Sequence, residues 1–317
     1  MAARRHTSVL VYRPTDADVF AERVRAPRGR VTIHTATTPD EAKAVIGDID
    51  IVWAWKFPPQ LYDKAACLTW LETMGAGVDW ALAPELPPRV IVTRAAGVFG
   101  PWMAEYTLGW CLFVTQRMAF YGEAQRAREW RADVLPERFS GTTMVIVGLG
   151  EIGRTIAGAA RRLGLRVVGV SRSGRRVPGV SRVHRPAQLT RALAEGDFVV
   201  LVTPLTAETR GLIGERELGA MKSGAWLVNI GRGALVDETA LVDALGQRRI
   251  GGAVLDVFAV EPLPPVHPLW TFDNVVVTPH IAGPDIPEEL ASAFNANLAR
   301  FIAGRPLRHV VDRRRGY

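Results

Sequence analysis

Three polar residues in the second half of the chain, Arg232, Glu261 and His280, could together carry out chemistry on a carbonyl compound. A guanidinium can bind a carboxylate through two parallel hydrogen bonds. A histidine held by a glutamate can deliver a proton near neutral pH, because the carboxylate orients the ring and favours its charged form. These side chains would bind a 2-oxo acid and protonate its carbonyl oxygen, provided that another group supplies a hydride.

A glycine-rich motif upstream indicates where that hydride would come from. The apolar run Thr143–Val147 precedes the motif, and a helix-compatible segment, Arg154–Gly164, follows it. A strand, GxGxxG and a helix in this order are typical of a dinucleotide-binding unit, whereas GxGxxG alone is as compatible with a simple turn. The helix N-terminus would face the pyrophosphate. The predicted cofactor-binding residues of the motif are Gly148, Leu149, Gly150, Glu151, Ile152 and Gly153.

The end of the next predicted strand, Leu165–Val170, indicates which dinucleotide binds. NAD-binding units place an acidic residue about 20 residues after the glycines, where it holds the ribose 2′-hydroxyl. In this chain that position is Ser171, and the residues that follow include Arg172, Ser173 and Arg175. A hydroxyl and guanidinium groups would attract a 2′-phosphate. We therefore predict NADPH, with NADH as the alternative cofactor and a solvated basic loop as the alternative interpretation.

These segments resemble the D-isomer-specific 2-hydroxyacid dehydrogenase family, most densely over about residues 140–283. Ser171-Arg172-Ser173 and Glu261–Pro265 are most similar to its glyoxylate/hydroxypyruvate reductase branch. A glutamine at position 261 would instead resemble the formate dehydrogenase branch. The segments that carry the resemblance are Leu201–Thr206, Asn229–Gly233, Leu255–Phe258, Glu261–Pro264 and Thr278–Gly283.

The resemblance implies a role for each candidate catalytic residue. Arg232 would grip the substrate carboxylate and the reacting carbonyl oxygen. His280 would protonate that oxygen as hydride reaches C2 from C4 of NADPH, with Glu261 as its partner. Further residues are expected to border the cofactor: Thr203, Pro204, Ile230, Gly231, Asp256 and Gly283.

Two segments near the N-terminus are candidates for substrate binding. Gly75, Ala76 and Gly77 belong to a segment that resembles the family's substrate-carboxylate loop. A glycine-containing loop can bind an anion through backbone N–H groups, although it can equally be a tight turn. Trp53 follows an N-terminal strand pattern and could shape the substrate pocket, with packing in the core as the alternative. No metal site is expected.

Short apolar runs alternate with helix-compatible segments along the chain, which predicts an α/β fold with two parallel sheets. The resemblance implies that a Rossmann dinucleotide-binding domain, residues 98–283, is inserted into a discontinuous flavodoxin-like substrate domain, residues 1–97 and 284–317. Substrate would then bind in the cleft between the domains. Relatives pair through the aromatic-rich segment 101–130, which predicts a homodimer.

The composition of the 317 residues, 48% hydrophobic and 22% charged, is typical of a globular enzyme. No apolar run approaches the roughly 20 residues that span a bilayer, so we expect no membrane association. The pattern of a signal peptide is missing and only two cysteines occur, which predicts a cytoplasmic protein without disulfides. The net charge of +7 is spread along the chain without a nucleic-acid-binding motif, so we expect no nucleic-acid partner.

Two other functions stay open at the level of sequence. One is oxidation of phosphoglycerate or a larger 2-hydroxy acid. The other is that of the family's dinucleotide-sensing corepressors, which retain the Arg/Glu/His set. Turnover of a 2-oxo acid with NADPH would separate an enzyme from a corepressor. Arg94 and the segment Gly283–Asp285 depart from the commoner family pattern, and both differences could alter the shape of the substrate pocket.

Overall fold

A computed structural model describes residues 6–317 and divides them into two compact units. One unit comprises residues 6–98 together with Asp285–Tyr317, and the other comprises Phe99–Pro284. Each unit contains one parallel β-sheet. The predicted fold class, two parallel-sheet α/β domains, is therefore confirmed. The assignment of substrate binding to the first unit stays a prediction.

The first part of the chain forms a five-stranded sheet with the order β2-β1-β3-β4-β5, which is the flavodoxin-like order. Strands β3 and β4 are buried at every position, as expected for parallel strands covered on both faces. The elements are β1 (Thr7–Tyr12), α1 (Ala17–Ala21), β2 (Val31–Ala36), α2 (Pro39–Val45), β3 (Ile51–Ala54), β4 (Trp70–Thr73) and β5 (Ile91–Arg94).

The second unit contains a seven-stranded sheet with the order β12-β11-β10-β9-β6-β7-β8. The order reverses at β6, as in dinucleotide-binding folds, which bind ligands at the carboxyl ends of the strands near that point. Its elements are α3 (Phe99–Thr115), α4 (Met118–Ala127), β6 (Thr143–Val147), α5 (Glu151–Arg162), β7 (Arg166–Val170), β8 (Arg182–His184), α6 (Leu189–Leu193), β9 (Phe198–Leu201), α7 (Glu215–Ala220), β10 (Trp226–Asn229), α8 (Glu238–Gly246), β11 (Gly252–Leu255) and β12 (Val275–Val277).

The chain returns to the first unit through α9 (Pro287–Ile302), which completes an aromatic core. The ring of Phe294 stacks on that of Trp53 with a centroid distance of 4.5 Å and lies 5.3 Å from that of Trp70. Trp53 is 0% exposed. A side chain without exposed surface cannot contact a substrate, so the structure corrects the prediction that Trp53 shapes the substrate pocket. Its large apolar ring packs in the core instead.

A carboxyl group is buried next to this aromatic core. Glu72 on β4 is 1% exposed, and its Oε2 accepts hydrogen bonds from the Thr93 hydroxyl and the Asn297 amide, both at 2.9 Å. Burial raises the pKa of Glu72 from 4.5 to about 7, although the two hydrogen bonds lower it. The folded chain therefore binds a proton at this site more tightly than the unfolded chain does.

This difference predicts a pH-dependent effect of Glu72→Gln on stability. As pH rises from about 4.5 to about 7, the unfolded state loses the proton first, so the free energy of unfolding of the wild type falls. Glutamine does not titrate, so the variant should gain up to about 3 kcal/mol relative to the wild type across this interval. Thermal unfolding at about pH 5 and about pH 8 measures the gain. Glu85→Gln, at an exposed position, is the control; an equal difference between Glu72→Gln and wild type at both pH values would contradict the prediction.

Within residues 6–317, no helix combines the length and the apolar character needed to cross a bilayer.

Candidate active site

The glycine motif forms the turn between β6 and α5, and two of its glycines are required by close contacts. Gly148 has a φ of +111°, and a Cβ there would lie 2.7 Å from the carbonyl oxygen of Val202. A Cβ on Gly153 would lie 1.9 Å from the carbonyl oxygen of Gly148. Gly150 differs: apart from Gly150 and its two chain neighbours, no atom of residues 6–317 lies within 4 Å of the position that a Cβ would take there. The N-terminus of α5 thus has open space above Gly150, where a pyrophosphate could approach the backbone.

Ser171 directly follows β7 and has an unusual hydroxyl group. Its Oγ is buried and forms no hydrogen bond with any residue that the structure describes. The backbone N–H of Gly174 donates to the carbonyl oxygen of Ser171 at 3.2 Å and closes a turn. Buried polar groups are nearly always hydrogen-bonded, so this hydroxyl could form a hydrogen bond with a bound ligand. The residues at this edge therefore fit a dinucleotide with a 2′-phosphate.

Arg172, the next residue, is already engaged. One of its guanidinium nitrogens donates to Oε2 of Glu208 at 3.0 Å, and both side chains are largely exposed. Glu208 lies in the segment after β9, beyond Thr203 and Pro204. The carbonyl oxygen of Pro204 accepts a hydrogen bond from the Thr209 hydroxyl at 2.7 Å, which holds this segment in a compact turn.

His280 and Glu261 form the hydrogen-bonded pair that the sequence predicts. The distance between Nδ1 of His280 and Oε2 of Glu261 is 2.9 Å. The other carboxylate oxygen, Oε1, accepts the backbone N–H of Phe258 at 3.1 Å. Both carboxylate oxygens are thus engaged, and Glu261 holds the imidazole through Nδ1. Both side chains are about one-third exposed, at 33% and 29%, so the pair remains accessible to a small molecule.

The loop that carries His280 is held by a buried carboxylate. Asp256 is 1% exposed and accepts hydrogen bonds from the Thr278 hydroxyl at 2.6 Å and from the backbone N–H groups of Ile281 and Ala282 at 2.8 and 2.9 Å. His280 itself adopts a left-handed conformation with a φ of +56°. Such a conformation persists only where neighbouring contacts enforce it. Asp256, predicted to border the cofactor, therefore positions the loop of His280 in this structure.

A residue that the sequence did not reveal supports this network from α3. The hydroxyl oxygen of Tyr106 lies 2.5 Å from Oγ1 of Thr278. Because the Thr278 proton is donated to Asp256, Tyr106 is the donor of this hydrogen bond. Burial, the largest influence, raises the pKa of Tyr106. The phenol thus remains a proton donor near neutral pH. No motif around Tyr106 signals this role.

Arg232 follows β10, which places it at the same sheet edge as the other two candidates. The guanidinium of Arg232 donates to the carbonyl oxygen of Gly231 at 2.9 Å. The side-chain amide of Asn229 donates to the backbone carbonyl oxygen of Arg232 at 3.0 Å. A Cβ on Gly233 would lie 1.8 Å from the carbonyl carbon of Phe258, so the two loops touch here. Because β10, β11 and β12 are adjacent strands, Arg232, Glu261 and His280 all emerge at their carboxyl ends.

The structure also shows what surrounds several other predicted positions. A Cβ on Gly231 would lie 3.3 Å from the carbonyl oxygen of Thr203, so these two predicted cofactor positions are neighbours. Gly283 packs against Phe99 and Met103 of α3. Leu149 and Ile230 are buried. In the first unit, the Gly75–Gly77 loop follows β4, and the ring of Trp55 packs on Gly75. Across residues 6–317, no cluster of three or more acidic, histidine or cysteine side chains could hold a metal ion.

Comparison with known proteins identifies the family. The model of the NAD binding domain of the D-isomer specific 2-hydroxyacid dehydrogenases matches residues 108–282. The chain belongs to this family. Glyoxylate/hydroxypyruvate reductase A of Serratia proteamaculans is 32% identical over 275 residues, 84% of this chain and 88% of the relative. Glyoxylate reductase of Thermofilum pendens is 36% identical over 258 residues, 78% of this chain and 76% of the relative.

Solved structures of the family have the same fold. The NADPH-dependent glyoxylate/hydroxypyruvate reductase of Sinorhizobium meliloti, in complex with NADP and sulfate, has a TM-score of 0.88 and 31% identity, with 99% of this chain and 100% of that chain covered. The D-isomer specific 2-hydroxyacid dehydrogenase of Xanthobacter autotrophicus, in complex with NADPH and MES, has a TM-score of 0.89 and 33% identity over 99% of this chain and 100% of that chain. The protein is thus an NAD(P)-dependent oxidoreductase of the 2-hydroxyacid dehydrogenase class.

Proposed function

We propose that this 2-hydroxyacid dehydrogenase reduces a short 2-oxo acid, such as glyoxylate or hydroxypyruvate, to the D-2-hydroxy acid with NADPH. The observation that carries the proposal is the pair of His280 and Glu261, 2.9 Å apart, at the sheet edge where Arg232 also emerges. The names of the relatives from Serratia and Thermofilum support the substrate class.

The proposed reaction uses the three side chains in separate roles. Bound NADPH supplies a hydride to C2 of the 2-oxo acid. Arg232 binds the carboxylate through parallel hydrogen bonds and polarises the carbonyl oxygen. His280, in its charged form and held through Nδ1 by Glu261, donates its other ring proton to that oxygen. The carbonyl π pair becomes the new O–H bond, and His280 is left neutral.

Preference for NADPH is supported by the second unit itself. Ser171 replaces the ribose-binding acid, and its buried hydroxyl has no partner among the described residues. Arg172 and Arg175 add positive charge next to it. The Sinorhizobium and Xanthobacter structures contain NADP or NADPH. NADH remains the alternative cofactor, because a serine hydroxyl can also form a hydrogen bond with a free 2′-hydroxyl.

Ser171→Asp is expected to reverse the cofactor preference. The carboxylate would repel the 2′-phosphate and accept a hydrogen bond from the 2′-hydroxyl of NADH. Loss of a charge-assisted contact weakens NADPH binding by about ten- to a hundredfold. Dissociation constants for both cofactors, from quenching of tryptophan fluorescence, measure the change. Ser173→Asp, in the same loop, tests whether the effect is specific to the first position. If wild-type protein bound NADH more tightly than NADPH, the cofactor assignment would be wrong.

Initial rates with a panel of short 2-oxo acids, each with NADPH and with NADH, test the proposed substrate class. Glyoxylate and hydroxypyruvate should be reduced with the highest kcat/KM. Preference for phosphorylated or bulky acids would favour the alternative oxidoreductase function. No turnover of any acid, despite tight cofactor binding, would favour the corepressor function.

Three other expectations stay predictions. Backbone N–H groups of the Gly75–Gly77 loop would bind a carboxylate. The protein would be a cytoplasmic homodimer. The side chains of Met118, Trp130 and Leu135, which are 49%, 97% and 74% exposed, supply apolar surface that a second copy could cover.

A further inference from the structure

The outermost strand of the second sheet, β8, brings another basic residue to the edge where Ser171 lies. Strands β7 and β8 are parallel, and Val170 is paired with His184. Ser171 and Arg185 directly follow these two residues. The backbone N–H of Ser171 donates to the carbonyl oxygen of His184 at 3.0 Å, which ties the two strand ends together. Arg185 therefore leaves the sheet next to the predicted 2′-phosphate position.

The side chain of Arg185 crosses the turn that begins at Ser171. A Cβ on Gly174 would lie 2.7 Å from Cγ and 3.1 Å from Nε of Arg185. Gly174 has a φ of +61° and closes the turn through its hydrogen bond to Ser171. A glycine is therefore favoured at position 174 for two reasons: the backbone is left-handed there, and a Cβ would clash with the side chain of Arg185.

Arg185 differs from the neighbouring arginines in its contacts with carboxylates. Among residues 6–317, no carboxylate forms an ion pair with its guanidinium, whereas Arg172 is paired with Glu208 at 3.0 Å. Arg182, the first residue of β8, lies 3.6 Å from Oε1 of Glu195. A dianionic phosphate at Ser171 would therefore meet a less engaged cation in Arg185 than in Arg172.

We propose that Arg185 is a specificity-determining residue that binds the 2′-phosphate of NADPH from the β8 side of the turn. This inference rests on the proposed use of NADPH. The guanidinium would donate to phosphate oxygens while the hydroxyl of Ser171 binds from the β7 side. Because NADH has no phosphate at this position, Arg185 should contribute little to NADH binding.

Arg185→Gln tests the assignment, because glutamine retains a long polar side chain and removes the charge. The dissociation constant for NADPH should rise by about ten- to a hundredfold, while that for NADH should stay near the wild-type value. The slope of NADPH affinity against salt concentration should also become shallower, since one cation fewer faces the phosphate. Arg185→Lys should restore part of the NADPH affinity.

Arg182→Gln is the matched control, since it removes the same charge three residues earlier in the chain, from a β8 residue that faces Glu195. It should change NADPH binding far less than Arg185→Gln does. Equal weakening by the two variants would mean that only the overall charge matters, and equal loss of NADPH and NADH affinity would mean a structural role. Either result overturns the proposal, as does unchanged NADPH binding in Arg185→Gln. A wild type without preference for NADPH would instead refute the proposed cofactor, so the two failures are distinguishable.

Discussion

Replacement of His280 by alanine is expected to lower kcat for 2-oxo-acid reduction by about 10²- to 10⁴-fold, the usual contribution of a positioned general acid. The imidazole held by Glu261 would no longer protonate the oxygen as hydride arrives. NADPH binding should change little, because the glycine turn and the Ser171 edge remain intact. Steady-state kinetics with glyoxylate and hydroxypyruvate measure the loss, and fluorescence titration measures cofactor binding.

His267→Ala provides a matched control for this variant. His267 lies in the same unit, with its Nε2 3.8 Å from a carboxylate oxygen of Glu238, but it does not belong to the proposed catalytic set. The kcat of the His267→Ala variant should stay close to that of the wild type. A primary isotope effect with deuterated NADPH shows whether hydride transfer limits the rate. A His280→Ala variant with the wild-type rate, where product release is not limiting, would refute the proton-donor role.

Arg232→Ala should have the second large effect, a decrease in kcat/KM of about 10³-fold or more. Removal of a single donor to a developing oxyanion costs about 10²- to 10³-fold, and this guanidinium would also bind the substrate carboxylate. KM should therefore rise and kcat should fall. Arg232→Lys should recover part of the activity, because an ammonium keeps the charge but cannot form the parallel pair of hydrogen bonds.

The control for Arg232→Ala is Arg249→Ala, which removes an arginine that pairs with Glu215 on the surface of the same unit. Its kinetic constants should resemble those of the wild type. If Arg232→Ala raised KM alone and left kcat unchanged, the guanidinium would bind substrate and transition state equally. The proposed polarisation of the carbonyl oxygen would then be wrong.

The buried network behind His280 explains why its loop can hold a strained residue. Asp256 accepts three hydrogen bonds from the loop, and Tyr106 supplies a further one to Thr278. A network whose members are all satisfied rigidifies the groups attached to it. The geometry of the His280–Glu261 pair therefore depends on residues that do not touch either side chain.

The sequence alone determined the features that arise from contiguous residues. The turn at Gly148–Gly153 needs only a strand, three glycines and a helix in order, so its form is encoded locally. The sequence also shows directly that a serine, Ser171, stands where NAD-binding units place an acidic residue. The parallel fold follows from the alternation of short apolar runs and helical segments. Arg232, Glu261 and His280 could be proposed from the sequence because each lies in a short family motif.

Only the tertiary structure decided which partners distant side chains meet. An apolar strand pattern does not reveal which helix will cover each face of the strand. The stacking of Trp53 on Phe294 of α9 was therefore not apparent from the sequence. The sequence predicts that Asp256 borders the cofactor, and only the structure shows that its carboxylate accepts hydrogen bonds from the loop of His280. Tyr106 lies 172 residues before Thr278 in the chain, and Arg185 meets Gly174 only because β8 pairs with β7. Sequence periodicity specifies which faces are apolar, whereas the partner of each polar group depends on strand order and register.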